Sequence, residues 1–161
     1  MSDTLNSIIT LRPVEPNDET FLLRLYAYSR AAELASVPWD AAQRELFVRL
    51  QASAQRQHYQ AEYPAAEELV ILLDEQAAGR LYLHRRAAEM RLLDFSLLPE
   101  YQAGEAAPQL LRRLMDEAAA SGQAVTIHLQ PYDPLQELFV QLGFKPVGGN
   151  WTHLLYEWRA A

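Results

Sequence analysis

Apolar positions change their period several times along the chain, and each change marks an element. Ile8 to Val14 alternates weakly and stops at Pro13 and Pro16, as a short strand closed by a turn does. Behind Asn17 or Asp18 as cap, Phe21, Leu22, Leu25, Tyr28 and Ala32 recur at helical spacing, with Arg24 and Arg30 off the stripe. A second helix follows Pro38-Trp39. Asp40 and Gln43 form a capping box, and Leu46, Phe47, Leu50 and Ala54 mark the face expected to be buried, running toward His58 until Pro64 ends the segment.

The period then becomes two. Leu69 to Leu73 is a continuous apolar run ending in Asp74-Glu75-Gln76, and Gly79 to His84 sets Leu81 and Leu83 against Arg80, Tyr82 and His84, which predicts a hairpin. Met90 to Leu98 predicts a third neighbouring strand, with Leu92, Asp94 and Ser96 on one face and Leu93, Phe95 and Leu97 on the other. The stretch PEYQAGEAAPQLL comes next. It leads into a helix marked by Leu110, Leu111, Leu114, Met115 and Ala118, with Pro108 in the first turn and Ser121-Gly122 as the stop. Val125 to Leu129 is a strand, and Asp133-Pro134 caps a short helix whose Leu135, Leu138, Phe139 and Leu142 face inward before Gly143 ends it. Two strands, Phe144 to Val147 and Trp151 to Trp158, close the chain around Gly148-Gly149-Asn150, a hairpin turn or a mobile lip. Strand, two helices, three strands, helix, strand, helix and two strands, with no repeat or linker, make one α/β domain over residues 1–161.

Composition narrows the chemistry. A chain of 161 residues, half of them apolar, supports a real core. The formal charge is −7, with 21 acids against 14 scattered bases, so no nucleic-acid footprint is expected, and long-range attraction favours a cationic partner. Absence of cysteine excludes disulfides, thiolate catalysis and zinc–thiolate sites. The stretch MSDTLNSIIT carries neither a basic start nor a long apolar run, so neither a signal peptide nor a membrane span is expected, and a cytoplasmic setting follows by default. No carboxylate stands at metal spacing beside His84 or His128, and no metal site is expected.

Leu11-Arg12-Pro13 on the first strand, Gly79-Arg80-Leu81-Tyr82 on the third, Asp94 to Glu100 running into a small-residue loop, and Leu138 to Phe144 occur in an order and spacing that together resemble the GNAT superfamily of acyl-CoA-dependent N-acyltransferases. The resemblance covers almost the whole chain. It implies a mixed, mostly antiparallel twisted sheet of about six to seven strands flanked by about four helices. It also implies acetyl-CoA, or another acyl-CoA, as co-substrate and a small-molecule or protein amine as acceptor. Phe95, Ser96, Leu97 and Leu98 then offer backbone groups to the pantetheine arm. Gln102, Ala103, Gly104, Glu105, Ala106 and Ala107 form the pyrophosphate loop, whose amides sit at the positive end of a helix.

Three positions depart from the family pattern. Glu105 stands where the loop's central glycine is usual, and a carboxylate about 4 Å from a phosphate costs about 4 kcal/mol at an effective dielectric near 20. Turned to solvent, the same carboxylate is screened. Phe139 replaces the tyrosine that often protonates the leaving thiolate, and a phenyl ring has no proton to give. Tyr132 offers a phenol nearby, although an exposed loop aromatic is the plainer reading. Asp133 stands where the family often has an asparagine touching the cofactor, and its position before Pro134 also explains it as a cap.

Asp94 is the candidate general base, with burial raising its pKa; pairing with Arg80, Arg91 or a histidine is the competing reading. Trp39, Tyr59 and Tyr63 anchor the second helix on the sheet or wall a substrate pocket. Trp151, Tyr156 and Trp158 complete the core or pair with a second copy in a homodimer. Two functions are therefore set out: an N-acyltransferase, most simply an acetyltransferase, working by direct attack of an amine on a bound thioester, and a non-catalytic GNAT-fold module that binds a ligand or a protein.

Overall fold

A computed structural model describes residues 7–161, so residues 1–6 of the N-terminal stretch lie outside the described residues. Seven strands form one sheet in the order β1-β2-β3-β4-β5-β7-β6: β1 Ile9–Pro13, β2 Glu67–Leu73, β3 Gln76–Arg85, β4 Glu89–Leu97, β5 Ala124–Leu129, β6 Lys145–Gly149 and β7 Leu154–Trp158. Helices α1 (Glu19–Ser29), α2 (Ala31–Ala35) and α3 (Ala41–Glu62) come between β1 and β2. Helices α4 (Pro99–Gln102) and α5 (Ala106–Ala120) connect β4 to β5, and α6 (Gln136–Gln141) follows β5. The two helices beyond the predicted four are the short α2 and α4. No helix among the described residues is long and apolar enough to cross a membrane.

Helix α5 buries Leu110, Leu111, Leu114, Met115 and Ala118, the stripe its sequence predicts, against Leu81, Leu83, Phe95 and Leu97 of the sheet. On the opposite face lie α1 and α3. Helix α3 starts at the predicted Asp40–Gln43 capping box, with both reciprocal bonds formed at 2.8 and 2.9 Å. Its buried face is not the predicted one: Val48 and Ala52 are covered, while Leu46 and Leu50 are 57% and 60% exposed. The covering side is set by Arg56 and Tyr59, which bond to β2 and β4 and fix the rotation of the helix.

The β2–β3 hairpin turns through Asp74 and Glu75, both at positive φ (50° and 70°), a two-residue turn whose twist matches the strands. Gly79 on β3 has no alternative, since a Cβ there falls 2.1 Å from the Ser96 carbonyl oxygen and 2.7 Å from Leu97. Near the end of the chain, Gly148 and Gly149 lie within β6, and the turn is Asn150 to His153. Strand β7 has both edges paired, to β5 and β6, and Tyr156 is buried, so this strand completes the core.

Candidate functional site

The site begins with a register change. Tyr82 pairs with Asp94 but Leu83 pairs with Leu92, leaving Leu93 as an extra residue on β4. This β-bulge corrects the predicted faces: Met90, Leu92, Phe95 and Leu97 are buried toward α5, and Asp94 and Ser96 lie on the α1–α3 side. Strands β4 and β5, the one parallel pair of the sheet, stop pairing at Leu92 and Ile127. Beyond that point they part, and a fork opens between Leu93–Leu97 and His128–Leu129.

The fork leaves polar backbone free. Leu98 donates to the Ala78 carbonyl, so by the alternation of an antiparallel ladder Ser96 and Asp94 bond to β3, and the peptide groups of Phe95 and Leu97 point across the fork. The Gln102 side chain donates to the Leu97 carbonyl at 3.0 Å, which ties the loop to the strand end. From Ala103 to Ala107, five consecutive backbone N–H groups have no acceptor among the described residues, and the last of them open the fifteen-residue α5. Such a run beside a helix N-terminus holds an anion. Glu105 is the N-cap of α5, yet its side chain caps nothing and its carboxylate has no hydrogen bond or ion pair among the described residues.

Above the fork Asp94 is clamped. Its Oδ2 accepts from Arg80 Nε at 2.9 Å and from the Ser96 hydroxyl at 2.9 Å and lies 2.8 Å from Arg80 Nη2 in an ion pair, so Arg80 is the partner among those weighed from sequence. Oδ1 carries no hydrogen bond among the described residues. Arg80 is 6% exposed and also reaches Glu68, whose other oxygen binds Arg56 at 2.7 Å, and Gln55 at 2.8 Å. Burial works against the Arg80 charge, but Asp94 and Glu68 outweigh it and hold the guanidinium above its usual range. A cavity of about 40 Å³ between α1 and this network, lined by Tyr26, Ser29, Asp94 and Ser96, has room for water.

Asp133 lies close enough to Asp94 to feel its charge. Burial raises the Asp133 pKa, the Leu135 amide bound to its Oδ1 at 2.8 Å opposes the rise, and Asp94 adds to it. The cap expected at Asp133 is therefore a turn ahead of the helix, which starts at Gln136. Phe139 is 0% exposed and packs edge-to-face on Phe95 and Phe144, whereas Tyr132 is 95% exposed. Tyr59 does two things. It donates to the Leu93 carbonyl at 3.0 Å with its phenol pushed up to about 12, chiefly by burial and then by Asp94, and it lines a cleft of about 320 Å³ with Tyr63. Trp39 packs on Phe47 of α3 itself.

That cleft opens at the fork and also holds His58, Arg91, His128, Asn150 and His153. Sequence reading named His128, Tyr59 and Tyr63 as candidates, Arg91 only as a partner for Asp94, Asn150 only as part of a turn and His58 only as the end of a helical stripe; it missed His153 and the convergence of these residues from α3, β4, β5 and the β6–β7 turn. His84, paired with His128 in that reading, stacks on Tyr63 instead.

Solved structures share this backbone arrangement at the level of the fold. The PaiA N-acetyltransferase of Thermoplasma acidophilum in complex with coenzyme A superimposes with a TM-score of 0.66 at 16% identity, over 95% of this chain and 99% of that one. This chain has the GNAT fold. An acetyltransferase from Thermus thermophilus matches with a TM-score of 0.64 at 20% identity (94% and 97% covered), and RimJ of Mycobacterium smegmatis in complex with CoA-disulfide with 0.61 at 19% (94% and 82%). No family model matches the chain, and no curated protein matches it in sequence. At these identities the GNAT likeness lies in the backbone, the level at which the fork and the amide run are built.

Proposed function

We propose that the chain is an acyl-CoA-dependent N-acyltransferase, with acetyl-CoA as the simplest donor. The observation that carries this reading is the unpaired amide run Ala103–Ala107 at the start of α5, next to the Phe95 backbone groups and the Leu97 N–H on β4 that the fork leaves without a strand partner. Neighbours solved with CoA support it. The amide run and the α5 dipole suit a pyrophosphate, and the peptide groups of Phe95 and Leu97 suit the amides of a pantetheine arm laid as a strand across the gap. Gln102 fixes the loop against the strand.

When bound, acyl-CoA supplies a thioester carbonyl whose C–S bond is replaced by a C–N bond to the amine. Asp94 Oδ1, at the fork and without a hydrogen bond, is placed to orient the amine and take its proton directly or through one water. Tyr59 stays protonated at neutral pH and acts as a donor only. Phe139 is sealed and Tyr132 faces solvent, so water is the proton source left for the departing sulfur.

Calorimetric titration with acetyl-CoA and with free CoA at moderate salt tests the reading. A saturable micromolar site that Gln102→Ala weakens at least tenfold supports it. No heat and no thermal shift at millimolar cofactor removes acyl transfer and leaves the non-catalytic module.

A further inference from the structure

The cleft at the fork differs in charge from the rest of the molecule. In a chain with 21 acids and 14 bases, no carboxylate lines it, while three imidazoles and one guanidinium do. The side chains are held in place. Arg91 donates through Nε to Thr126 at 2.7 Å and through Nη2 to Glu89 at 3.2 Å, leaving Nη1 without a partner among the described residues. His153 is fixed by Thr152 at 3.1 Å and Gln130 at 3.3 Å, on a turn pinned by Asn150 Oδ1, which accepts from the Thr152 and His153 amides at 3.0 Å each. No three His, Asp or Glu side chains converge as metal ligands among the described residues.

The two acids lie at the other end. Asp94 follows Arg91 by three residues on β4, roughly 10 Å at strand rise, and Asp133 sits near Asp94. The fork thus presents carboxylates where the amine must react and hydrogen-bond donors, Arg91 Nη1 and the His128 ring, just beyond it.

We propose that the acceptor is a primary amine that also carries an anionic group, a carboxylate or a phosphate, a few bonds from the nitrogen. The nitrogen lies at Asp94, and the anion is bound by Arg91 and His128; both ring nitrogens of His153 are already held, Nδ1 by Thr152 and Nε2 by Gln130, so that side chain walls the subsite. The guanidinium gives a charge-assisted hydrogen bond, and the His128 imidazole N–H adds a neutral donor. Burial, then Arg91 and His153, holds the His128 pKa below its ordinary value, which keeps that ring a neutral donor at neutral pH. This assignment rests on the N-acyltransferase reading. It reverses the cationic partner suggested by net charge, because residues in contact with a ligand outweigh charges a Debye length away.

The test uses matched pairs: L-lysine and cadaverine, L-phenylalanine and phenethylamine, glucosamine 6-phosphate and glucosamine. Imidazole nitrogen resonances of the full ¹⁵N-labelled chain report binding directly. The expected result is saturable shifts of His128 and His153 by at least one acid-bearing member, at least tenfold tighter than its partner lacking the acid. His128→Ala and Arg91→Gln should each weaken that binding about tenfold, read at the His153 resonances. The carboxylate and phosphate pairs separate the two anions. Arg91→Gln strips Thr126 and Glu89 of a partner and can disturb folding, whereas His128 is exposed on β5, makes no side-chain hydrogen bond among the described residues and keeps the test sound. Equal or tighter binding of the acid-free amines overturns the proposal, as does the absence of imidazole shifts with every acid-bearing amine at about 10 mM. Acetyl-CoA titrated into the same sample separates the two failures: heat with CoA but no preference for the acid sinks this assignment alone, while silence with CoA sinks the transferase reading and leaves the imidazole shifts to judge the cleft.

Discussion

Glu105 places a carboxylate at the N-terminus of α5, among the amides that would hold a pyrophosphate. Its removal should have two effects of opposite sign. One phosphate charge about 6 Å away costs about 0.7 kcal/mol in the dielectric of water and about 3 kcal/mol at an effective dielectric near 20. Partial burial places Glu105 between those limits, so Glu105→Gln should tighten CoA binding by about 3- to 100-fold. The same acid favours the positive end of a fifteen-residue helix, so the cofactor-free variant should lose about 0.3–1 kcal/mol. Its side chain makes no capping bond, so no further loss is expected. Glutamine retains the length and the helical backbone that glycine would loosen. Calorimetry at 0.1 M and 1 M salt measures the first effect and thermal unfolding the second; the gain should shrink at high salt, where the Debye length is about 3 Å. Unchanged affinity in a protein that does bind CoA would mean that the carboxylate points away from the phosphates, and the electrostatic reasoning would fail.

Three other substitutions probe the site. Phe139→Tyr puts a hydroxyl into a fully enclosed aromatic stack, so it should cost about 1–3 kcal/mol by urea unfolding and give no faster acyl transfer; a tenfold rate gain at unchanged stability would show that the hydroxyl reaches the sulfur. Arg80→Ala leaves Asp94 and Glu68 without their shared buried cation, a loss of about 3–5 kcal/mol, and a change below about 1 kcal/mol would show the network to be ornamental. Asp133→Asn keeps the acceptor for Leu135 but removes a carboxyl whose native pKa lies above its unfolded value of about 3.9. Because that raised pKa makes the ionised form a burden at neutral pH, the variant should melt higher than wild type at pH 7. The difference should close as pH falls through the native pKa toward about 4, and a gap independent of pH would refute the assignment.

What the sequence could determine by itself was local. The hairpin turn at Asp74-Glu75-Gln76, the capping box of α3, the buried stripe of α5 and the stop at Ser121-Gly122 are each written in a handful of neighbouring residues, and each forms, the turn tightening to Asp74-Glu75 with Gln76 already in β3. The order of elements, and with it the GNAT fold, follows from adding such pieces. Pairing between distant segments decided the rest. One extra residue at Leu93 moved Leu92 to the other face and opened the fork, because a strand's period is two and a single slip inverts it. Leu46 and Leu50 were left outside because α3 is rotated by its bonds to β2 and β4, which its own periodicity does not contain. The free amides of the loop follow from what fails to meet them, and the histidine cleft from three segments brought together by the sheet order. A sequence records preferences over a few residues, whereas register, helix rotation and the convergence of remote side chains exist only once the sheet has closed around its core.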